Sequence, residues 1–307
     1  MKWPDELIFI PNSRMAQKTT LVRMDGRVSV LTGATSGVGY HAAKRLAEGG
    51  ARLVLVCRNA EKAARVKNEL ECEHQTSVRI LQADFSQLAE VRKTALTILE
   101  EYPRIDVLIN NAGIHNTRRT LTENGVETVF CVNHLASFLF TRLLLPKILE
   151  SAPARIIQVN SQGHRFGGLD LNDLNWDRRR YRGLQSYGAS KVAQLLTVWE
   201  LADRLKGTGV TINAMHPGAV RTNIGMNNGL LYQWYQRYLL WPTLKDPRIS
   251  GEAIYYLAAA PEMAAVSGRF FNLTIDEKPA VHALDRALGK LVWQLSEELT
   301  GLEGKNG

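Results

Sequence analysis

Cysteine is scarce in this chain of 307 residues, which contains only Cys57, Cys72 and Cys131. The three are odd in number and far apart, and none forms a C-x-x-C pair, so a disulfide framework is excluded and a reducing compartment is favoured. We therefore expect isolated thiols, buried or partly buried, in a cytoplasmic protein. Histidine, cysteine and acidic residues nowhere recur at the spacing of metal ligands, and no metal is predicted.

The start of the chain lacks a long hydrophobic run. Its only short apolar stretch, residues 7–10, has acidic residues beside it, which fits neither a secretory signal nor a membrane-spanning helix. We expect residues 1–25 to form a leader that lies on the surface of the domain.

A recognised nucleic-acid-binding motif is also missing. The formal net charge of +8 permits contact with anions, but a basic charge balance alone does not separate nucleic acid, acidic lipid and a phosphorylated cofactor. No nucleic-acid partner is therefore predicted.

Short apolar runs alternate with amphipathic helical patterns from residue 26 onward. The apolar runs are continuous, which is typical of strands buried on both faces of a parallel sheet. We predict a single doubly wound α/β domain of Rossmann type over residues 26–275, with a mainly parallel, seven-stranded sheet. The amphipathic stretch in the C-terminal helical tail, residues 276–307, either caps this domain or joins an interface.

A glycine-rich segment, "TGATSGVG" at residues 32–39, joins the first strand to the first helix. Glycine at positions 33, 37 and 39 lets the backbone turn sharply and approach a bulky anion, and the start of the helix presents free N–H groups to a pyrophosphate. The spacing is G-x-x-x-G-x-G rather than the commoner G-x-G-x-x-G. Taken alone, the segment also suits a turn that binds nothing.

Tyr187 and Lys191 lie four residues apart in "SYGASKVAQ", so on a helix they share one face and their head groups converge. A free phenol titrates near pH ~10, too high for a base at neutral pH. A nearby ammonium favours the phenolate and lowers the phenol pKa. The pair therefore predicts a tuned acid/base that exchanges a proton with a carbonyl or alcohol oxygen.

The glycine turn, "NNAG" at 110–113 and the Tyr187-x-x-x-Lys191 pair occur in an order that makes the chain resemble the short-chain dehydrogenase/reductase family, from about residue 27 to 273. The resemblance implies a nicotinamide-dependent oxidoreductase with the catalytic set Asn133, Ser161, Tyr187 and Lys191. In it, Ser161 steadies charge on the substrate oxygen and Asn133 helps to hold a water chain leading from the lysine.

Two features depart from the common family pattern. Asn160 stands where many relatives carry a first serine, so only Ser161 fits the catalytic role. The stretch between Ser161 and Tyr187 is long and, with "SGRFF" near the end of the chain, resembles the retinol-dehydrogenase-like branch, whose members act on lipophilic aldehydes and ketones.

The end of the second strand indicates the cofactor. NAD-binding folds usually place an acidic residue there for the ribose 2′-hydroxyl, whereas here Cys57 is followed by Arg58, whose guanidinium suits a phosphate. We predict NADP(H), with an NAD-preferring dehydrogenase as the alternative. Asp84 is expected at the adenine, although it equally suits a helix N-cap. The resemblance implies that the cofactor contacts Gly33, Thr35, Ser36, Gly37, Val38, Gly39, Arg58, Asp84, Phe85, Asn111, Ala112, Gly113, Tyr187, Lys191, Pro217, Gly218, Val220 and Thr222.

Residues 224–243 correspond to the substrate lid of the family, and their aromatic residues suit a hydrophobic carbonyl compound. The predicted substrate contacts are Trp234 in this lid and His164, which lies close to Ser161 in the sequence. Two other interpretations stay open: an aromatic face packed permanently on the core, and shallow contact with a membrane to which the protein is peripheral.

The predicted function is interconversion of a carbonyl and an alcohol on a small or lipophilic substrate, by hydride transfer with Tyr187 as the acid/base. The alternative from another class is a non-catalytic NADP(H)-binding sensor or scaffold, against which the complete catalytic set argues. Relatives commonly pair through the helices at 127–149 and 187–205, so a homodimer is expected.

Overall fold

The computed structural model describes Asn12, residues 15–221 and residues 244–302. The strands are β1 Val28–Thr32, β2 Arg52–Cys57, β3 Val78–Gln82, β4 Val107–Asn110, β5 Ala154–Val159, β6 Val210–His216, β7 Phe270–Asn272 and β8 Ile275–Asp276. The α-helices are α1 Gly37–Glu48, α2 Ala60–His74, α3 Leu88–Glu101, α4 Thr128–Phe130, α5 Ala136–Glu150, α6 Gly183–Arg204, α7 Arg248–Ala259 and α8 Arg286–Leu299.

All eight strands form one sheet in the order β3-β2-β1-β4-β5-β6-β7-β8. Neighbouring strands from β3 to β7 in this order are parallel, and only β8 is antiparallel to its neighbour. The strand order reverses between β1 and β4, which opens a crevice at their carboxyl ends where ligands of such sheets bind. The predicted doubly wound Rossmann domain is confirmed, with one strand more than expected.

The extra strand β8 follows β7 through a turn of two residues, Leu273 and Thr274. Leu273 has a φ of +57°, a conformation that hairpin turns normally assign to glycine or asparagine. The sequence therefore carries no turn signal at this point, which is why the strand was not predicted.

Buried apolar side chains fill both faces of the sheet. One cluster lies between the sheet and α3, α5 and α6, and the other between the sheet and α1, α2 and α7. Along β2 the side chains alternate between the clusters, with Val54 and Val56 in the first and Leu53 and Leu55 in the second. Burial on both faces explains why these strands read as continuous apolar runs.

The helical stretch 128–150 changes type along its length. Between α4 and α5 lies a π-helical turn, Cys131–Leu135, with Asn133 at its centre; such turns interrupt α-helices frequently at functional sites. Among the described residues this is the stretch long and apolar enough to span a membrane, at mean hydropathy 1.5, yet 78% of its apolar window is buried inside the protein. It therefore packs here as a core helix.

The C-terminal helix α8 caps the domain by packing on α5 and α6. Trp293 meets the ring of Phe138 edge-on, with the centroids 5.0 Å apart, and Ser296 Oγ lies 2.7 Å from His134 Nε2. In this position α8 lies against the two helices through which we expected a homodimer. The homodimer stays a prediction.

Described residues of the N-terminal segment contact the region around β8. The Lys18 N–H donates to Thr274 Oγ1 over 2.9 Å, and Asn12 Nδ2 donates to Glu277 Oε2 over 3.0 Å. Met24, at the end of the segment, is buried in the core. The predicted domain boundaries stay predictions.

Candidate active site

The glycine turn lies between β1 and α1, at the crevice beside β4. Gly33 and Gly37 have φ angles of +72° and +55°, which favour glycine. A Cβ on Gly39 would lie 2.3 Å from Gly33 O and 2.4 Å from Asn111 Nδ2, so no larger residue fits there. Ser36 begins α1 without a side-chain cap, which leaves N–H groups of the first turn for an anion. The turn therefore fits a pyrophosphate.

Asn111, in the NNAG motif after β4, fixes the shape of the glycine turn. Its Nδ2 donates to Thr32 O over 2.9 Å and to Gly33 O over 3.0 Å. In return, Thr32 Oγ1 accepts from the N–H groups of Asn111 and Ala112, over 3.0 and 2.9 Å. The NNAG motif and the glycine turn thus form one hydrogen-bonded unit that is preformed in the protein.

Arg58 and Asp84 follow the neighbouring strands β2 and β3. The Arg58 side chain is 72% exposed, and its Nη1 lies 4.0 Å from Asp84 Oδ2, so the guanidinium is accessible to a phosphate. Asp84 Oδ1 accepts from the N–H and the hydroxyl of Ser86, both over 2.8 Å. The N-cap position of α3 is held by Gln87, whose side chain makes no capping hydrogen bond, so Asp84 does not occupy the helix-cap position of its alternative role.

Three other residues of the predicted cofactor set differ in exposure. Thr35 is partly exposed at the glycine turn, whereas Val38 is buried below it. Phe85 is buried too, and its ring packs on Phe140 with the centroids 5.8 Å apart. Only the main chain of Phe85 is therefore left for a contact with the cofactor.

Ser161 and Tyr187 lie side by side at the carboxyl end of β5. Ser161 begins a 3₁₀ turn, and its Oγ accepts from the Gly163 N–H over 3.0 Å. Tyr187, near the start of α6, is half-buried and hydrogen-bonded to the Ser161 side chain. A Cβ on Gly163 would lie only 2.6 Å from Tyr187 Cε1. The phenol ring therefore packs directly on this glycine.

Lys191 lies one turn after Tyr187 and is almost fully buried. Its Nζ is 5.6 Å from the centroid of the Tyr187 ring and donates to Val159 O over 3.1 Å and to Gln194 Oε1 over 3.0 Å. A Cβ on Gly113 would be 3.9 Å from this Nζ and 3.3 Å from Asn133 Oδ1. The glycine of NNAG therefore borders the side chains of both Asn133 and Lys191.

Burial dominates the electrostatics of the pair. It lowers the pKa of Lys191 to about 7 and raises the pKa of Tyr187, with the hydrogen bond from Ser161 acting in the opposite direction. We expected Lys191 to lower the tyrosine pKa, and in this arrangement that effect does not prevail, because desolvation disfavours the charged form of both groups.

Asn133 connects the loop after β4 to α6. Its Oδ1 accepts from the Ile114 N–H over 2.8 Å, and its Nδ2 donates to Ile114 O over 3.1 Å and to Ser190 Oγ over 2.9 Å. Its main-chain oxygen accepts from Gln194 Nε2 and from Ser137 Oγ. These bonds place Asn133 beside Lys191, and the water chain stays a prediction.

His164 differs from our expectation of a substrate contact. It is fully buried, its Nδ1 lies 2.7 Å from Ser161 O, and its Nε2 accepts from the Ala280 N–H over 3.1 Å. Burial lowers its pKa to about 4. Both ring nitrogens are thus occupied by main-chain partners within the protein. His164 therefore contacts the main chain of Ser161 and helps to hold it in place. The other predicted contact, Trp234, lies outside the described residues.

The loop after β6 borders the predicted lid. Gly218 has a φ of +85°, and Ser250 Oγ donates to Pro217 O over 2.5 Å. Val220 is buried and forms a β-bridge with Lys245. The lid itself, residues 224–243, and Thr222 lie outside the described residues.

Sequence reasoning missed three residues at this site. Gln194 and Asn160 contact Lys191, and the ring of His115 meets that of Tyr187 edge-on at 5.7 Å. Gln194 had a signal, because residues three apart share a helix face. Among the described residues, no three histidine, cysteine or acidic side chains are grouped as metal ligands.

Comparison with known proteins agrees with this geometry. Retinol dehydrogenase 13 from Homo sapiens is 39% identical over 285 residues, covering 91% of this chain and 86% of that protein. Retinol dehydrogenase 14 from Homo sapiens is 39% identical over 295 residues, covering 91% of this chain and 88% of that protein. The similarity confirms the predicted resemblance to the retinol-dehydrogenase-like branch.

Solved structures share the fold over most of their length. An uncharacterised protein from Mycobacterium paratuberculosis has a TM-score of 0.74 at 29% identity, covering 93% of this chain and 98% of that chain. A short chain dehydrogenase from Burkholderia cenocepacia J2315, in complex with NADP, has a TM-score of 0.64 at 25% identity, covering 83% of this chain and 98% of that chain. The family model for short chain dehydrogenases matches residues 27–230, and the chain therefore belongs to the short chain dehydrogenase family.

Proposed function

We propose that the chain is an NADP(H)-dependent oxidoreductase that interconverts a carbonyl and an alcohol, with Tyr187 as the acid/base. The observation that carries the proposal is the convergence of Ser161, Tyr187 and Lys191 beside Gly113, in a crevice whose glycine turn fits a pyrophosphate. A sensor that only binds the cofactor has no need of a half-buried phenol beside a buried ammonium at this point, since burial of ionisable groups is costly.

The side chains have distinct tasks in the proposed reaction. When bound, NADP(H) supplies or accepts the hydride. The Tyr187 hydroxyl exchanges the proton with the substrate oxygen. Because Ser161 Oγ already accepts from the Gly163 N–H, its own proton is directed to the tyrosine or substrate oxygen, where it steadies developing charge. Lys191 stabilises negative charge on the phenol oxygen.

Arg58 supports the choice of NADP(H) over NAD. Its guanidinium is exposed after β2, where an acidic residue would otherwise accept from the ribose 2′-hydroxyl. The Burkholderia cenocepacia relative was solved with NADP, which agrees with this choice. Where NADPH is abundant, reduction of the carbonyl is the expected direction.

The substrate that we propose is a lipophilic aldehyde, ketone or alcohol. Two of the similar proteins are named retinol dehydrogenases, and retinol is a lipophilic alcohol. The cytoplasmic location, the peripheral membrane contact and the homodimer stay predictions.

Exchange of Tyr187 for Phe tests the function. With NADPH and a panel of lipophilic aldehydes and ketones, Tyr187→Phe should lower kcat by about 10³-fold, within the range of general acid–base catalysis, and leave NADPH affinity close to that of the wild type. Steady-state NADPH oxidation and fluorescence titration measure the two effects.

Tyr102→Phe is the matched control, because this partly buried tyrosine lies at the end of α3, away from the crevice. It should retain wild-type turnover. If the wild type binds NADPH but turns over no member of the panel, the sensor or scaffold alternative is favoured instead.

A further inference from the structure

Gln194 joins Lys191 to the main chain of Asn133. Its Oε1 accepts from Lys191 Nζ over 3.0 Å, and its Nε2 donates to Asn133 O. The orientation of the amide is unambiguous, because a carbonyl oxygen only accepts hydrogen bonds. The side chain of Gln194 thus spans the distance between the π-helical turn and the ammonium.

Asn160 also binds the Gln194 side chain and thereby orients its amide. Its Nδ2 donates to Gln194 Oε1 and to Lys191 O, both over 3.0 Å, and its Oδ1 accepts from the Ser161 N–H over 2.8 Å. Asn160 stands where many relatives carry a serine, whose short hydroxyl side chain has no amide to donate to both oxygens while accepting from Ser161. The departure noted in the sequence therefore belongs to this network.

The surroundings of Lys191 make its acceptors important. Gln194 and Asn160 are 2% exposed and Lys191 is 3% exposed, so water contributes little to the solvation of the ammonium. The groups that face it are Val159 O from β5, Gly113 from the loop after β4, and Tyr187 and Gln194 from its own helix. His115 is a titratable group whose ring packs edge-on against that of Tyr187.

We propose that Gln194 is a positioning residue for Lys191, which holds the ammonium in place by linking it to the main-chain oxygen of Asn133, and that Asn160 fixes the Gln194 amide for this task. The inference rests on the proposed function, in which Lys191 acts beside Tyr187. An amide accepts a hydrogen bond from the ammonium but takes up no proton at neutral pH. Gln194 therefore fixes the lysine and does not relay its proton.

Titration of Lys191 tests this role without any turnover. We would label lysine with ¹³C at Cε, assign Lys191 by the signal lost in Lys191→Met, and follow its chemical shift with pH in the cofactor-free full chain. Gln194→Met keeps the volume and removes the acceptor, so the Lys191 pKa should fall by about one pH unit, the size expected for one hydrogen bond to a charged group. Gln194→Glu keeps an acceptor, so the pKa should stay at or above that of the wild type.

Thr197→Val is the matched control on the same helix. Thr197 is buried, and within the part of the chain that the structure describes its hydroxyl donates to the helix carbonyls of Ala193 and Gln194. Its substitution changes packing near the network and should leave the Lys191 titration unmoved. In the active enzyme, the alkaline limb of the pH profile of kcat/KM should shift to lower pH in Gln194→Met. In Thr197→Val it should stay at the pH of the wild type.

The proposal is overturned if Gln194→Met titrates within about 0.3 pH unit of the wild type, or if Gln194→Glu titrates below it. If Gln194→Met does not fold, the Lys191 titration in Gln194→Glu tests the proposal. A wild type without oxidoreductase activity would sink the proposed function, while the NMR titration would still report whether Gln194 holds the lysine.

Discussion

The two ends of the crevice are built in different ways. The nucleotide end is made of main chain: Gly33 and Gly39 approach Asn111, whose amide closes the turn through backbone oxygens. The chemical end is made of buried side chains, and burial shifts the pKa of both Tyr187 and Lys191.

This difference predicts different sensitivities. A turn held by hydrogen bonds between neutral side chains and the main chain should respond to added volume or charge but hardly to pH. Buried ionisable side chains should respond to added volume, to added charge and to pH, because their charged forms are solvated by a few fixed partners. The three experiments that follow act on one end at a time.

Of these three experiments, the largest effect is expected from Gly163→Ala, which disturbs the chemical end by volume alone. The added Cβ would lie 2.6 Å from Tyr187 Cε1 and 2.8 Å from Cδ1, so the ring has to move. Because displacement of a reacting group by about 1 Å costs about 10²-fold, kcat should fall by that factor while NADPH affinity stays near that of the wild type. Stopped-flow turnover and fluorescence titration separate the two.

Gly289→Ala in α8 is the control for this experiment. A Cβ there would meet Leu196 O at 3.5 Å, an ordinary contact, and alanine suits a helix better than glycine. Turnover should be unchanged. A Gly163→Ala enzyme with wild-type kcat would show that Tyr187 has more freedom than its packing indicates.

A smaller effect is expected from Arg58→Glu, which changes the charge at the nucleotide end. The new carboxylate would face Asp84 and repel a 2′-phosphate, so the preference for NADPH over NADH should fall at least about tenfold, or about 1.4 kcal/mol. The kcat at saturating cofactor should change little, because the chemical end is untouched. The ratio of kcat/KM for the two cofactors measures the change.

Arg65→Glu makes the same change of charge on the exposed face of α2, where Arg65 pairs with Glu61. It should leave the cofactor ratio unchanged. If Arg58→Glu behaves like Arg65→Glu, then Arg58 is only a solvated side chain and the prediction of NADP(H) loses its basis.

The shape of the glycine turn could be predicted from the sequence because its geometry is local, whereas its contact with a cofactor stays a prediction. Glycine at positions 33 and 37 reports a positive φ, glycine at 39 reports a close contact with Asn111, and strand ends in a parallel sheet meet at one edge. The helical spacing of Tyr187 and Lys191 likewise placed both on one face of α6, although it did not show where their head groups point.

The remaining features depend on tertiary packing that no local pattern encodes. Phe85 and His164 are buried in the core rather than exposed at the crevice, and Gln194 contacts a carbonyl, that of Asn133, which lies within a π-helical turn. The lowered lysine pKa follows from burial by elements far apart in the chain. Sequence predicts which groups are present, and packing decides what they face.

The last experiment measures the pH dependence of stability rather than turnover, and it would sharpen the contrast between the two ends. Burial lowers the pKa of Lys191 to about 7 in the folded chain, from 10.5 when unperturbed. Between these two pKa values the unfolded chain binds more protons than the folded chain, so this group adds stability as pH rises, at most about 1.4 kcal/mol per pH unit. The contribution is lost as pH falls through about 7. Lys191→Met removes this contribution, so the free energy of unfolding of the wild type relative to this variant should increase from pH 7 to pH 9 in urea titrations.

Arg58→Glu, at the nucleotide end, is the control, and its free energy of unfolding should follow that of the wild type across the same pH range. If the difference in unfolding free energy between the wild type and Lys191→Met does not change with pH, the lysine is solvated more fully than its burial indicates.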